Sequence, residues 1–142
     1  MHEWSIADGI VNAITEYAKE HAIRKIKKVN LLVGELSILD TDILKEAINL
    51  LSKGTLLDGA KIVIETEHAK LKCLKCGYEW GFEEVWEQIK NGLKIEDLEG
   101  GSDPPIHYLP ELVYAFAACP KCGSSDFDVV SGMGVKVKSI EV

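Results

Sequence analysis

All four cysteines of the chain lie in two short pairs, Cys73-Leu-Lys-Cys76 and Cys119-Pro-Lys-Cys122. No other feature restricts so tightly what the chain can fold into. Four thiolates grouped as two pairs can close a tetrahedral shell around Zn²⁺, and each spacing lets one tight turn aim both sulfurs at the metal. Gly77 and Gly123 follow the pairs, and glycine suits the positive φ that such a knuckle requires. A four-sulfur shell leaves no position for water, so this zinc is expected to be structural. Positions 77 to 118 separate the knuckles, a gap longer than the usual ribbon spacing, and imply an insertion between them. Two disulfides or a redox pair are the competing reading. They are disfavoured because no secretory leader is apparent and a cytosolic compartment keeps thiols reduced.

Composition narrows the class of partner. A hydrophobic content of 46% with 27% charged residues is that of a soluble globular protein, and no apolar run approaches the roughly 18 residues of a membrane span. A cytoplasmic protein without a membrane partner is expected. The formal charge of −7 falls further, by about two, when four thiolates take up one Zn²⁺. Nucleic acid is therefore disfavoured as a partner, since phosphate binding calls for a basic field.

Along the chain, Ala7, Ile10, Val11, Ile14, Tyr17 and Ala18 recur at three- and four-residue intervals, which predicts an amphipathic helix over residues 4–22 with one buried face. Gly9 reads as a tolerated helix glycine and His21 as a surface residue of the last turn. Residues 29–36 have the β-branched and apolar content of a strand. Asp40 or Asp42 can cap a second helix carrying Ile43, Leu44, Ala47, Ile48 and Leu51 and ending at Gly54. A second strand over 61–67 leads almost directly into the first knuckle. Between the knuckles, Tyr78, Trp80 and Phe82 suggest a short strand, residues 83–90 a helical turn or two, and residues 99–105 a loop. An apolar run, 112–118, enters the second knuckle, and residues 126–130 form a ribbon strand. Residues 135–142 alternate polar and apolar, the pattern of a strand with one buried face, and are expected to return to the N-terminal sheet. The fold class is therefore α+β: a small domain of two helices on a three-stranded sheet, residues 1–67 plus 132–142, with a Cys₄ zinc-ribbon-like domain, residues 68–131, inserted in it.

The amino terminus reads Met1-His-Glu-Trp4. An α-amine has a pKa near about 8 and can lose its proton to a metal near neutral pH. With the His2 imidazole and the intervening backbone nitrogens it would form nested chelate rings, and planar nitrogen donors suit Ni²⁺ or Cu²⁺. Glu3 is equally suited to offset the helix dipole.

Met1-His-Glu3 ahead of an apolar helix, Gly34-Glu-Leu36 closing the first strand, and the knuckles Cys-x-x-Cys-Gly and Cys-Pro-Lys-Cys-Gly together resemble the HypA/HybF family of nickel metallochaperones, which serve nickel-iron hydrogenases. The resemblance spans nearly the whole chain. It implies that nickel is bound by His2 with Met1 and Glu3, and that zinc is held by Cys73, Cys76, Cys119 and Cys122. The long insertion is similar to the archaeal branch, and Ile106-His-Tyr-Leu-Pro-Glu111 then implies His107 as a further nickel ligand. His68 matches no ligand position, and Trp4, Trp80 and Trp86 read as packing residues. The implied function is delivery of Ni²⁺, with a nickel-binding, HypB-like GTPase as partner, to a hydrogenase large subunit. It is not an enzyme on this reading. The alternative is a zinc-ribbon module for nucleic acid or a transcription complex. A metal-dependent hydrolase is disfavoured, because no His-rich cluster accompanies a carboxylate base.

Overall fold

Helix α1 (Glu3–Glu20) turns Ala7, Ile10, Val11, Ile14 and Ala18 into the core of the first of two compact units. The computed structural model describes residues 2–37, 39–93 and 109–142. The first unit comprises Met1–Val33, Leu39–Glu65 and Val135–Val142, and the second Gly34–Ile38 and Thr66–Gly134. Tyr17, at the edge of the helical stripe, is 48% exposed rather than buried. Gly9 has open space around it, as a tolerated helix glycine should.

The end of α1 carries strain. Ile23 N–H reaches back to the Ala18 carbonyl at 2.9 Å, which closes a Schellman turn and forces Ala22 to φ 56. A left-handed residue with a Cβ costs about 1–2 kcal/mol, part of which a glycine loses again in backbone entropy. Ala22→Gly is therefore expected to stabilise the first unit by about 0.5–1 kcal/mol. Urea denaturation followed by helical circular dichroism measures it, and a lowered midpoint would contradict the strain argument.

Strand β1 (Lys28–Gly34) is the centre of a three-stranded sheet, between β2 (Lys61–Glu67) and β6 (Val135–Glu141). Helix α2 (Thr41–Leu51) opens with the Asp40 carboxylate accepting from Ile43 N–H at 3.1 Å. It packs with α1 over one face of the sheet, where Val29, Leu31, Val33 and Ile62 meet Leu44, Ala47 and Ile48. Burying each such Leu or Ile contributes about 1.5–3 kcal/mol before entropy is counted. The other face carries polar pairs, with Asn30 Nδ2 donating to Ser139 Oγ at 2.9 Å and Lys138 Nζ donating to Glu65 at 3.2 Å. The C-terminal strand thus returns to β1, antiparallel, from Val33↔Val135 to Lys28↔Glu141.

In the second unit, β3 (Lys70–Cys73) lies between β4 (Glu79–Gly81) and β5 (Phe127–Ser131), antiparallel to both. Helices α3 (Phe82–Leu93) and α4 (Leu109–Phe116) bring Val85, Ile89 and Val113 onto Leu71 and Trp80. Phe82 opens a full helix rather than extending a strand, and the apolar run into the second knuckle is helical as far as Phe116. Val85 and Ile89, four residues apart, have one face to bury, and Glu83 and Glu84 favour a helix start.

The segment Gly34-Glu-Leu36, read from sequence as the end of a strand, leaves β1 at Gly34, and Glu35–Ser37 form a 3₁₀ turn. Leu36 is fully buried in the second core. Gly34 admits no Cβ, because the Gly132 carbonyl occupies that space, and Gly132, at φ 91, is packed equally closely on Ala69. Glu35 Oε1 accepts from Ala69 N–H at 2.6 Å. The three residues are thus parts of the second unit's framework.

Candidate metal centre

Each knuckle is built the same way. Gly77 N–H donates to the Cys73 carbonyl at 3.0 Å and Gly123 N–H to that of Cys119 at 2.9 Å, with both glycines at φ 77. Cys76 N–H then points at Cys73 Sγ (3.5 Å) and Cys122 N–H at Cys119 Sγ (3.4 Å). The turns are anchored at their entrances too, since Cys73 N–H donates to Tyr78 O and Cys119 N–H to Ser124 O, each at 2.8 Å. Antiparallel pairing of Cys73 with Phe127 in β5 brings the first knuckle beside the chain that follows the second.

The four sulfurs meet. Cys73 Sγ lies 3.5 Å from Cys122 Sγ, Cys76 Sγ lies 3.5 Å from Cys119 Sγ, and all four ligand atoms fall within 4.8 Å of one another. Metal–sulfur bonds of about 2.3 Å in a tetrahedron set the edges at about 3.8 Å, so the cavity fits one ion of that size. The cysteines are free thiols, not disulfides. Cys73 and Cys119 are buried; Cys76 and Cys122 are exposed.

The local fields divide the thiols. The backbone N–H of Cys76 outweighs burial and, with Lys75 N–H, brings the Cys73 thiol down to about 6. Burial raises Cys119, but the N–H groups of Cys122 and Lys121 prevail and lower it. At Cys122 the N–H of Ser124 lowers the value, yet the sulfur of Cys73, burial, and the remaining sulfurs push it up to about 11. Four sulfurs at this spacing cannot all ionise without a cation among them, and a divalent ion removes that conflict.

Sequence reasoning missed the supports of the site. The Gln88 amide, on α3, grips the residue before Cys119: its Nε2 donates to Ala118 O at 2.6 Å and its Oε1 accepts from Ala118 N–H at 3.4 Å. Nothing in a lone glutamine on a helix announces such a role. Glu35 also has a neighbour outside its backbone contact, the exposed His68, whose Nδ1 lies 3.5 Å from Glu35 Oε1.

In the first unit, His2 is the N-cap of α1. Its carbonyl accepts from Ile6 N–H at 3.0 Å, while its exposed side chain makes no capping hydrogen bond. Glu3 follows in the first turn, 3% exposed and engaged with a partner, so its carboxylate is an interior group rather than a solvated one. Met1 and His107 lie outside the described residues. Trp80 and Trp86 join the second core, whereas Trp4 is 48% exposed, contrary to its reading as a packing residue. His21 is exposed, with Tyr17 stacked on it at 4.0 Å between ring centroids. Among the described residues no helix is long and apolar enough to cross a membrane.

A family model described as hydrogenase/urease nickel incorporation, metallochaperone, hypA matches residues 1–142. The chain is similar to the hydrogenase maturation factor HypA of Pyrococcus horikoshii, with 43% identity over 142 residues, covering 100% of this chain and 96% of that protein. The corresponding factor of Thermococcus gammatolerans is 42% identical with the same coverage. In fold, the chain matches the solution structure of the Ni metallochaperone HypA from Helicobacter pylori, at a TM-score of 0.62, 22% identity, and coverage of 100% and 97%.

Proposed function

The chain belongs to the HypA family of hydrogenase/urease nickel-incorporation metallochaperones, and from that premise we propose that it binds one Ni²⁺ at Met1, His2 and Glu3 and passes it on. In this reading a nickel-binding GTPase is the partner and a hydrogenase large subunit the recipient. The observation that carries it is the His2 side chain, exposed at the start of α1 and making no capping hydrogen bond. An imidazole so placed can coordinate without first breaking a cap. In a chain whose first residue is Met1, the α-amine and the early backbone nitrogens complete a planar nitrogen shell. The contribution of Glu3 is then its backbone nitrogen, because its carboxylate is buried.

His107 supplies a further nickel ligand from the insertion. Zn²⁺ sits among Cys73, Cys76, Cys119 and Cys122, where soft sulfur donors and tetrahedral spacing favour it over nickel's planar preference. Its shell is closed, so the zinc itself takes no part in catalysis.

Nickel titration by isothermal calorimetry tests the reading. His2→Ala is expected to remove binding at this site, and His107→Ala to weaken it about tenfold or more, with zinc content unchanged in both. An isotherm identical to that of the parent for His2→Ala would overturn the proposal. An unchanged isotherm for His107→Ala would remove that residue from the shell.

A further inference from the structure

The two knuckles are held in different ways. The first is the turn of a hairpin: β3 enters it, β4 leaves it, and Lys72 pairs with Glu79 across it. On the other side of β3, Cys73 pairs with Phe127 of β5, and Leu74 N–H donates to Asp126 O at 2.9 Å. The second knuckle is followed by β5 but preceded by no strand. Ala117 and Ala118 lie between the end of α4 and Cys119, outside any helix or strand. Ala118 has no backbone partner among the described residues.

Its partner is a side chain. The Gln88 amide donates to the Ala118 carbonyl at 2.6 Å and accepts from Ala118 N–H at 3.4 Å. Both backbone groups of one residue are thus satisfied by one partner, the pattern of a hydrogen-bonded pair in an antiparallel sheet. Glutamine can imitate that pattern because its side chain ends in an amide, with a donor and an acceptor side by side. The helix that carries it is firmly seated, since Val85 and Ile89 of α3 are buried in the second core and α3 follows β4 directly. Cys73 is thereby connected to Cys119 through β3, β4, α3 and the Gln88 amide, a path of hydrogen bonds and packing that does not pass through the sulfurs.

We propose that Gln88 is a positioning residue of the metal centre: it replaces a strand beside the second knuckle, holds Cys119 in the shell, and so sets how fast the bound ion escapes. The inference rests on the reading of the four cysteines as a zinc site. An ion held by two pairs of sulfurs leaves when one pair swings away, and the pair with less backbone support opens first. The first pair cannot move without breaking the ladders on both sides of β3. The second moves once Ala118 is released, because Gln88 supplies the only hydrogen bonds of Ala118 among the described residues. In a chain proposed to carry nickel at its other end, slow escape keeps the structural ion from exchanging with the cargo.

Zinc transfer to an excess of a chromogenic chelator, followed on the zinc-loaded full chain, tests the role. Gln88→Met keeps the length, the apolar stem and the helix propensity of the side chain but removes both hydrogen bonds. It should release zinc about tenfold faster than the parent, from the same initial zinc content. Leu36→Val is the control, because it loosens the same core from a different segment and leaves the Gln88 amide in place. Limited iodoacetamide, with peptide mapping of the singly modified chains, separates positioning from general loosening. In the parent and in Leu36→Val the first alkyl group should be shared by the exposed Cys76 and Cys122. In Gln88→Met it should move to Cys119 and Cys122, the pair set free. Zinc release from Gln88→Met at the parent's rate overturns the inference, and so does faster release with the first alkylation distributed as in Leu36→Val. A parent that holds no zinc overturns the metal reading itself, and its zinc content shows this before any variant is compared.

Discussion

The proposed nickel binding at the amino terminus is expected to be lost when Gly-Ser precedes Met1, although His2 is still present. The extension converts the α-amine into an amide, whose nitrogen gives up its proton far less readily than an amine of pKa near about 8. It also moves His2 away from the end of the chain, so the nested chelate rings cannot close around a planar ion. Affinity is expected to fall by roughly a hundredfold, or about 2.7 kcal/mol. The comparison takes three proteins: a chain that starts at Met1, the extended chain and His2→Ala. Absorption spectra should show the planar Ni²⁺ complex in the first alone, with equal zinc and equal helical content in all three. An extended chain that binds as tightly as the native one, with the same spectrum, would leave the imidazole in place but exclude the amine.

Replacing one zinc cysteine has the largest effect expected on the fold. Cys119→Ala removes a buried sulfur from a cluster whose members lie within 4.8 Å of one another. Structural zinc supplies about 10–16 kcal/mol of apparent binding free energy near neutral pH, comparable with the whole stability of an ordinary domain. The second unit's own core is small, centred on Leu71, Trp80, Val85, Ile89 and Val113. Loss of zinc should therefore disorder β3, β5 and the knuckles, seen as lost near-ultraviolet dichroism from Trp80 and as rapid proteolysis within the second unit. The first unit has its own core and should retain helical dichroism from α1 and α2. Stoichiometric zinc in Cys119→Ala would contradict the four-cysteine shell.

Chemical and periodic signals were legible without coordinates. The knuckle spacing and its two glycines led to four sulfurs that do converge. The stripe from Ala7 to Ala18 and the Asp40 cap placed both helices of the first unit. The alternation over residues 135–142 led to a strand that does return to the N-terminal sheet. Helix α3 was seen only as a turn or two, and α4 as an undivided apolar run. In α3 the apolar residues are interrupted by charged ones over a short span, and in α4 a short, nearly continuous apolar run has no distinguishable period.

The sequence by itself determined the chemistry that depends on neighbours in the chain: which residues can share a metal, where helices start, and which strand faces can be apolar. The tertiary structure alone decided which core each segment joins. Leu36 is equally apolar in either core, and it entered the second one because Gly34 meets the Gly132 carbonyl too closely for any side chain between them. It also decided that Gln88 grips Ala118 and that Lys138 bulges out of register with β1. Those outcomes join residues far apart in sequence, and packing density and backbone hydrogen bonding select them only after the elements have met.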